Sequence, residues 1–142
     1  MYYLFVYGSL KSKKVQKELF GKELKMYKAE LKGYGLYEAE DGFYFIKKSE
    51  KDIIHGYLLE IDDYDLKICD AFEECPQMYQ RQLIKVYVDG EEKEAYVYIR
   101  VDDIGKYKKI ENFDTYSRLD EDEFIENEVI PFKEKEHPEY YK

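Results

Sequence analysis

The feature that most constrains this chain is a two-residue alternation interrupted by Asp89-Gly90. Ile84, Val86 and Val88 alternate with polar or amphipathic residues before it, and Ala95, Val97, Ile99 and Val101 do the same after it. Successive strand side chains point to opposite faces, so the pattern predicts two strands, each with one apolar face. Asp-Gly accepts the left-handed backbone that a two-residue hairpin turn requires. A lone hairpin is marginal in water, so that apolar face demands further strands or helices against it.

The rest of the chain supplies them. Residues 2–7 are aromatic or apolar and run into Gly8-Ser9, a strand followed by a turn. Ser12 is a helix cap, Val15, Leu19 and Phe20 have helical spacing, and Gly21 stops the helix. Residues 24–38 read as one long or interrupted strand, with Gly33 and Gly35 as breaks. Asp41-Gly42 is a turn, and residues 43–46 and 53–61 are two further strands. Asp62 or Asp63 caps a helix to about Glu74, which Pro76 prevents from continuing. Past residue 102 the pattern weakens to an acidic helix near 120–128 and a loosely attached tail. The sum is six strands and two or three short helices, an α+β fold or a small barrel with helices outside it. One domain over 1–142 is expected, with 102–142 as a C-terminal extension.

Composition removes several functions. With 32 acidic residues against 23 basic ones, the chain carries a net charge of -9. That balance opposes binding to phosphate backbones, so no nucleic-acid partner is expected. Aromatics reach 18%, as 17 Tyr and 8 Phe without Trp, which argues against disorder. Cys69 and Cys75 are too few for a disulfide framework or a four-ligand zinc site. His55 and His137 lie far apart, and no metal-spaced cluster is present, so no metal is expected. No apolar run approaches the roughly 18 residues of a membrane span. The N-terminus lacks a charged leader, so a cytoplasmic protein without membrane attachment is expected.

Two places carry candidate chemistry. On a helical wheel of 62–74, Leu66, Ile68, Cys69 and Phe72 fill one apolar arc. Glu73 falls inside its edge, about 20° from Leu66, whereas Glu74 points well outside and Asp70 lies just beyond the rim. A carboxylate on that side is costly unless it is paired or used. Pairing with Arg81 and use as an acid or base both remain open on the wheel. The second place is Tyr7-Gly8-Ser9-Leu10, where a Gly-Ser turn exposes consecutive backbone N–H groups that can cradle a carboxylate or an oxyanion. Ser9 as a nucleophile would need a base that no histidine near it in sequence supplies.

Both places belong to one pattern. Phe5-Val6-Tyr7-Gly8-Ser9-Leu10-Lys11 resembles the N-terminal strand and loop of the gamma-glutamyl cyclotransferase-like superfamily. Ile54-His55-Gly56-Tyr57 through Ile61 resembles its mid-chain strand with a glycine in a set place. Asp70-Ala71-Phe72-Glu73-Glu74-Cys75-Pro76 through Tyr79-Gln80-Arg81 resembles its catalytic segment, in a form closest to the gamma-glutamylamine cyclotransferases. The likeness covers about residues 3–100.

The resemblance implies a small mixed six-stranded β-barrel flanked by short helices, with no cofactor. It implies a small-molecule substrate, a gamma-glutamyl amine or amino acid, split into 5-oxoproline and a free amine such as lysine. Glu73 is implied as the catalytic acid/base, and Tyr7, Gly8, Ser9 and Leu10 as the substrate loop. Tyr79 and Arg81 belong to the same motif, as a pocket residue and a supporting one. Asp114-Thr115-Tyr116 is similar to a segment that closes the pocket in relatives, which implies Tyr116 as a substrate-binding residue. Many relatives carry a proline-containing segment before the glycine strand, where this chain has Asp41 to Ile46, so the acceptor side of the pocket is expected to differ. Cleavage of a biosynthetic intermediate with the same Glu73, or metabolite binding without catalysis, are the alternative functions the resemblance allows.

Overall fold

The structure, a computed structural model, describes residues 1–110 and 120–142. Strands β1 (Tyr2–Val6), β2 (Met26–Ala39), β3 (Tyr44–Ile61), β4 (Tyr79–Val88), β5 (Glu91–Arg100) and β6 (Tyr107–Lys109) form one mixed sheet. Its order is β3-β1-β5-β4-β2-β6, and β3 also pairs with β2, so five strands close into a ring while β6 lies outside on β2. All pairings are antiparallel except β1 with β5. Helices α1 (Lys13–Phe20), α2 (Asp63–Phe72) and α3 (Glu121–Phe124) are short.

The alternation that opened the sequence reading is the β4–β5 hairpin. Asp89 and Gly90 have φ of 52° and 76°, the double positive of the predicted turn. Val86, Ala95 and Val97 are fully buried, and Ile84, Val88 and Ile99 pack against them. Val101 lies just past the strand and is exposed, and β4 begins five residues before Ile84.

Strand parity splits the core in two. Phe5, Leu31, Ile54, Leu58, Val86 and Val97 come from all five ring strands and fill one cluster, the inside of the ring. Leu4, Val6, Leu59, Ile61 and Tyr98 have the opposite parity and pack on Val15, Leu19, Leu66, Ile68 and Cys69 of α1 and α2. Gly56 is required where β3 crosses β1: a Cβ there would lie 2.4 Å from the Val6 carbonyl oxygen and 2.9 Å from Phe5.

The six strands are not quite the expected six. Residues 43–46 and 53–61 read as separate strands because the segment between them is polar. They are one strand, because Lys47 and Lys48, though exposed, stay paired with Gly35 and Tyr34 in the middle of β2. Ser49 to Asp52 bulge opposite Gly33, whose φ is 83°. The sixth strand is β6, which is three exposed residues long and carries no apolar alternation.

The helix ends behave as read. The Ser12 hydroxyl accepts from the Val15 N–H, and Gly21 closes α1 in the left-handed region. Asp62 and Asp65 form a capping box on α2. The tail is not loose. Val129 and Phe132 are buried in the helix-side core, Lys133 pairs with Glu18 at 3.2 Å, and the Tyr141 hydroxyl donates to the Leu19 carbonyl. The backbone widens to π-type turns over Ile125–Val129 and Phe132–Glu136, and Phe124, Val129 and Phe132 all reach the helix-side core. Among the described residues no helix is long and apolar enough to cross a membrane.

Candidate active site

A cavity of about 390 Å³ opens where the end of β1, the end of α2, the β2–β3 turn and the C-terminal segment meet. It gathers Tyr7, Gly8, Ser9, Leu10, Glu73 and Tyr79, six of the residues that the sequence marked. Arg81 is not in its lining. Tyr116 lies outside the described residues.

Glu73 is the C-cap of α2 and not a residue of the helix body, one position beyond the last helical residue. Its N–H still bonds the Cys69 carbonyl at 2.9 Å, which keeps it on the helical spiral and preserves the wheel geometry. Glu74 then turns into the left-handed region, with φ 53°, and faces solvent. Among the described residues the Glu73 carboxylate makes no hydrogen bond or ion pair. It lies deep in the protein and keeps only the partial exposure that the cavity provides. Burial, and next the charge of Glu74, raise its pKa from 4.5 to about 7.

Of the two readings the wheel leaves open, the pairing with Arg81 does not form. Arg81 forks onto Asp70 instead, Nε to Oδ1 at 2.9 Å and Nη2 to Oδ2 at 3.1 Å, and stacks 4.5 Å over the Tyr96 ring. Asp70 also accepts from the Tyr98 hydroxyl at 2.8 Å. Asp70 is not among the groups that shift Glu73.

Neighbouring hydroxyls are committed elsewhere. Tyr7 donates to the Tyr98 carbonyl and Tyr79 to the Tyr44 carbonyl, each at 2.7 Å. Burial holds both phenols well above their usual range, so they stay protonated. In the same lining, residues 8–11 enter a 3₁₀ turn over Ser9–Lys11, whose first amides have no acceptor within the turn. Buried Gln16 secures this loop, donating to the Leu10 carbonyl at 2.8 Å and accepting from the Leu24 N–H at 3.2 Å.

Sequence reasoning missed part of the wall. Tyr98 and Arg100 are the amphipathic partners in the β5 alternation, yet the side chains of both are buried, because β5 has α2 or the cavity on its second face. The Arg100 guanidinium pairs with Asp41 and Asp102 and pins the turn that presents Phe43 and Tyr44 to the cavity. Phe124, Asn127 and Glu128 come from the C-terminal segment, where acidic composition masked the apolar face. Among the described residues no three His, Cys, Asp or Glu converge to hold a metal ion.

A closed β ring with one unpartnered, deep carboxylate in a concave site facing a backbone turn has the make-up of a small-molecule pocket. The profile of the family "gamma-glutamyl cyclotransferase, AIG2-like" matches residues 4–118, and the chain belongs to that family. No curated protein matches the sequence at a significant level. Among solved structures, a protein from Arabidopsis thaliana is similar over 94% of this chain and 93% of its own, at 24% identity and a TM-score of 0.67. A gamma-glutamyl cyclotransferase is similar over 76% of this chain and 69% of its own, at 16% identity and a TM-score of 0.60. An AIG2-like protein from Mus musculus is similar over 70% and 76%, at 25% identity and a TM-score of 0.52. The first two likenesses concern the fold alone.

Proposed function

We propose that this protein is a gamma-glutamylamine cyclotransferase, which releases 5-oxoproline and a free amine and uses Glu73 as its acid/base. The observation that carries the reading is the unpaired Glu73 carboxylate, with a pKa near 7, in the cavity that the 7–10 turn also lines.

The substrate's own α-amine attacks its γ-carbonyl, so the protein supplies no nucleophile. Holding the substrate folded supplies the proximity. Two protons must leave the α-ammonium as it becomes a lactam N–H, and the departing nitrogen must gain them. A carboxylate that reaches both nitrogens moves them one at a time. An ordinary glutamate is a poor base for an α-ammonium near ~8, with a gap of roughly 5 kcal/mol. At about 7, the Glu73 pKa narrows that gap to little more than ~1 kcal/mol. The same value leaves enough protonated acid at neutral pH for the second transfer.

The turn at Gly8 to Leu10 offers backbone N–H groups to the substrate carboxylate or to the oxyanion that forms on the γ-carbonyl. Tyr79 lines the pocket, and Arg81 supports it through Asp70. The test is incubation with gamma-glutamyl-ε-lysine and an assay for 5-oxoproline and lysine. Turnover by the native chain and its near-complete loss in Glu73→Gln are expected; substantial turnover in that variant sinks the assignment.

A further inference from the structure

Tyr79, in the cavity lining, is held at both ends. Its hydroxyl donates to the Tyr44 carbonyl at 2.7 Å. Its ring centroid lies 5.8 Å from the guanidinium of Arg100, its cross-strand partner on β5. Arg100 in turn reaches Asp41, with Nη1 on Oδ1 at 3.1 Å and Nη2 on Oδ2, and Asp102, with Nε on Oδ1 at 2.7 Å. The contacts close a circuit that runs from Arg100 to Asp41, along the turn to Tyr44, across to Tyr79 and back to Arg100.

A typical surface ion pair holds little. This one differs, because the Arg100 side chain is 4% exposed and its planar fork is filled by two carboxylates. The same pairing holds the Asp41 carboxyl below its usual range. The β2–β3 turn needs such an anchor. Its own bonds run from the Gly42 N–H to the Ala39 carbonyl, from the Ala39 N–H to the Phe43 carbonyl and from the Phe43 N–H to Asp41 Oδ1. They set its shape and not its distance from β5, and Gly42, at φ 87°, adds backbone freedom. Asp41, Gly42, Phe43 and Tyr44 all line the cavity, and a Cβ on Gly8 would meet the Tyr44 ring at 3.9 Å. The turn therefore touches the 7–10 loop on one side and Tyr79 on the other, while Arg100 stands outside the lining.

Resting on the cyclisation reading above, we propose that Arg100 is a positioning residue, which through Asp41 holds the 41–44 turn and Tyr79 in place against the substrate. Glu73 is carried by α2 and lies outside this circuit. Releasing the turn should therefore weaken binding and spare the chemical step.

Three variants test this with gamma-glutamyl-ε-lysine as substrate. Asp41→Asn keeps an acceptor for the Phe43 N–H and removes the charge that Arg100 holds. Arg100→Gln removes the anchor and keeps the Asp41 charge. Asp102→Asn takes the other carboxylate from the same guanidinium and leaves the turn bonded. The first two should raise KM about tenfold with kcat within about threefold of the parent, and Asp102→Asn should leave KM unchanged. Should Arg100→Gln not fold, Arg100→Lys, which keeps the charge but cannot fork, takes its place with a KM rise of about threefold.

A merely structural role would lower Tm and the active fraction at constant KM, and that result overturns the proposal. So does a KM rise in Asp41→Asn alone, which would mean that Asp41 touches the substrate itself. Equal KM rises in Asp41→Asn and Asp102→Asn overturn it as well. No 5-oxoproline from the native chain sinks the cyclisation reading instead. The anchor is then judged by amide exchange at Gly42 and Phe43, which should quicken about tenfold in Asp41→Asn and not in Asp102→Asn. Parental exchange in Asp41→Asn overturns it.

Discussion

The guanidinium of Arg81 is bonded twice to Asp70, at 2.9 and 3.1 Å, and leaves Glu73 without a cation three residues further on. Both carboxylates lie near the end of α2, and the only arginine of the motif neutralises the one on the outer side. That division keeps the carboxyl in the cavity basic, because an opposite charge in contact would pull its pKa down.

Arg81→Met therefore tests a structural role. It leaves Asp70 half-buried with the Tyr98 hydroxyl as its remaining side-chain partner. Urea unfolding should show a loss of about 1–3 kcal/mol, the cost of stranding a partly buried charge. The acid limb of the pH–rate profile should stay in place, since Arg81 does not touch Glu73. A limb displaced by a full pH unit would show direct coupling between the two.

Glu73→Gln should lower kcat/KM for 5-oxoproline release by at least about a hundredfold, the scale of losing a general acid/base. Stability should move the other way. Folded Glu73 holds its proton up to about pH 7, whereas the unfolded chain releases it near 4.5, so folding takes up a proton between those values. Its contribution is therefore full below 4.5, falls as pH rises to about 7, and is flat above, a total of roughly 3 kcal/mol at about 1.4 kcal/mol per pH unit. The variant should be more stable than the parent at pH 8, with the gap closing toward pH 4. Parallel thermal melts at the two pH values read the effect directly.

The native pH profile carries the same signature. The proposed chemistry starts from ionised Glu73, so kcat/KM should rise about tenfold per pH unit on the acid side and bend near pH 7. A bend near 4.5 would mean that the carboxyl is solvated during turnover and would remove the basis for its role.

Gly56→Ala tests the closure of the ring. The added methyl would sit 2.4 Å from the Val6 carbonyl oxygen, a backbone atom that cannot move without shifting β1. A loss of about 3 kcal/mol or more is expected, which lowers Tm by about 10 °C in a chain of this size. Differential scanning calorimetry checks it, and an unchanged Tm would show that the β1–β3 crossing can relax.

Much of this was legible locally. The hairpin, the Ser12 and Asp62 caps, the Gly21 stop and the inward aim of Glu73 each follow from residues within one or two turns of each other. Periodicity and backbone preference act over that range, so sequence by itself determined those elements and one face of each. Only the tertiary structure decided that β1 pairs with β5 and β2 with β4 to close a ring, and that Arg81 goes to Asp70. It also decided that the tail, acidic and unpatterned to the eye, packs Val129 and Phe132 into the core and walls the cavity. These are choices among distant partners of similar chemistry. Packing, burial and competition for charge make them, and no local spacing records the outcome.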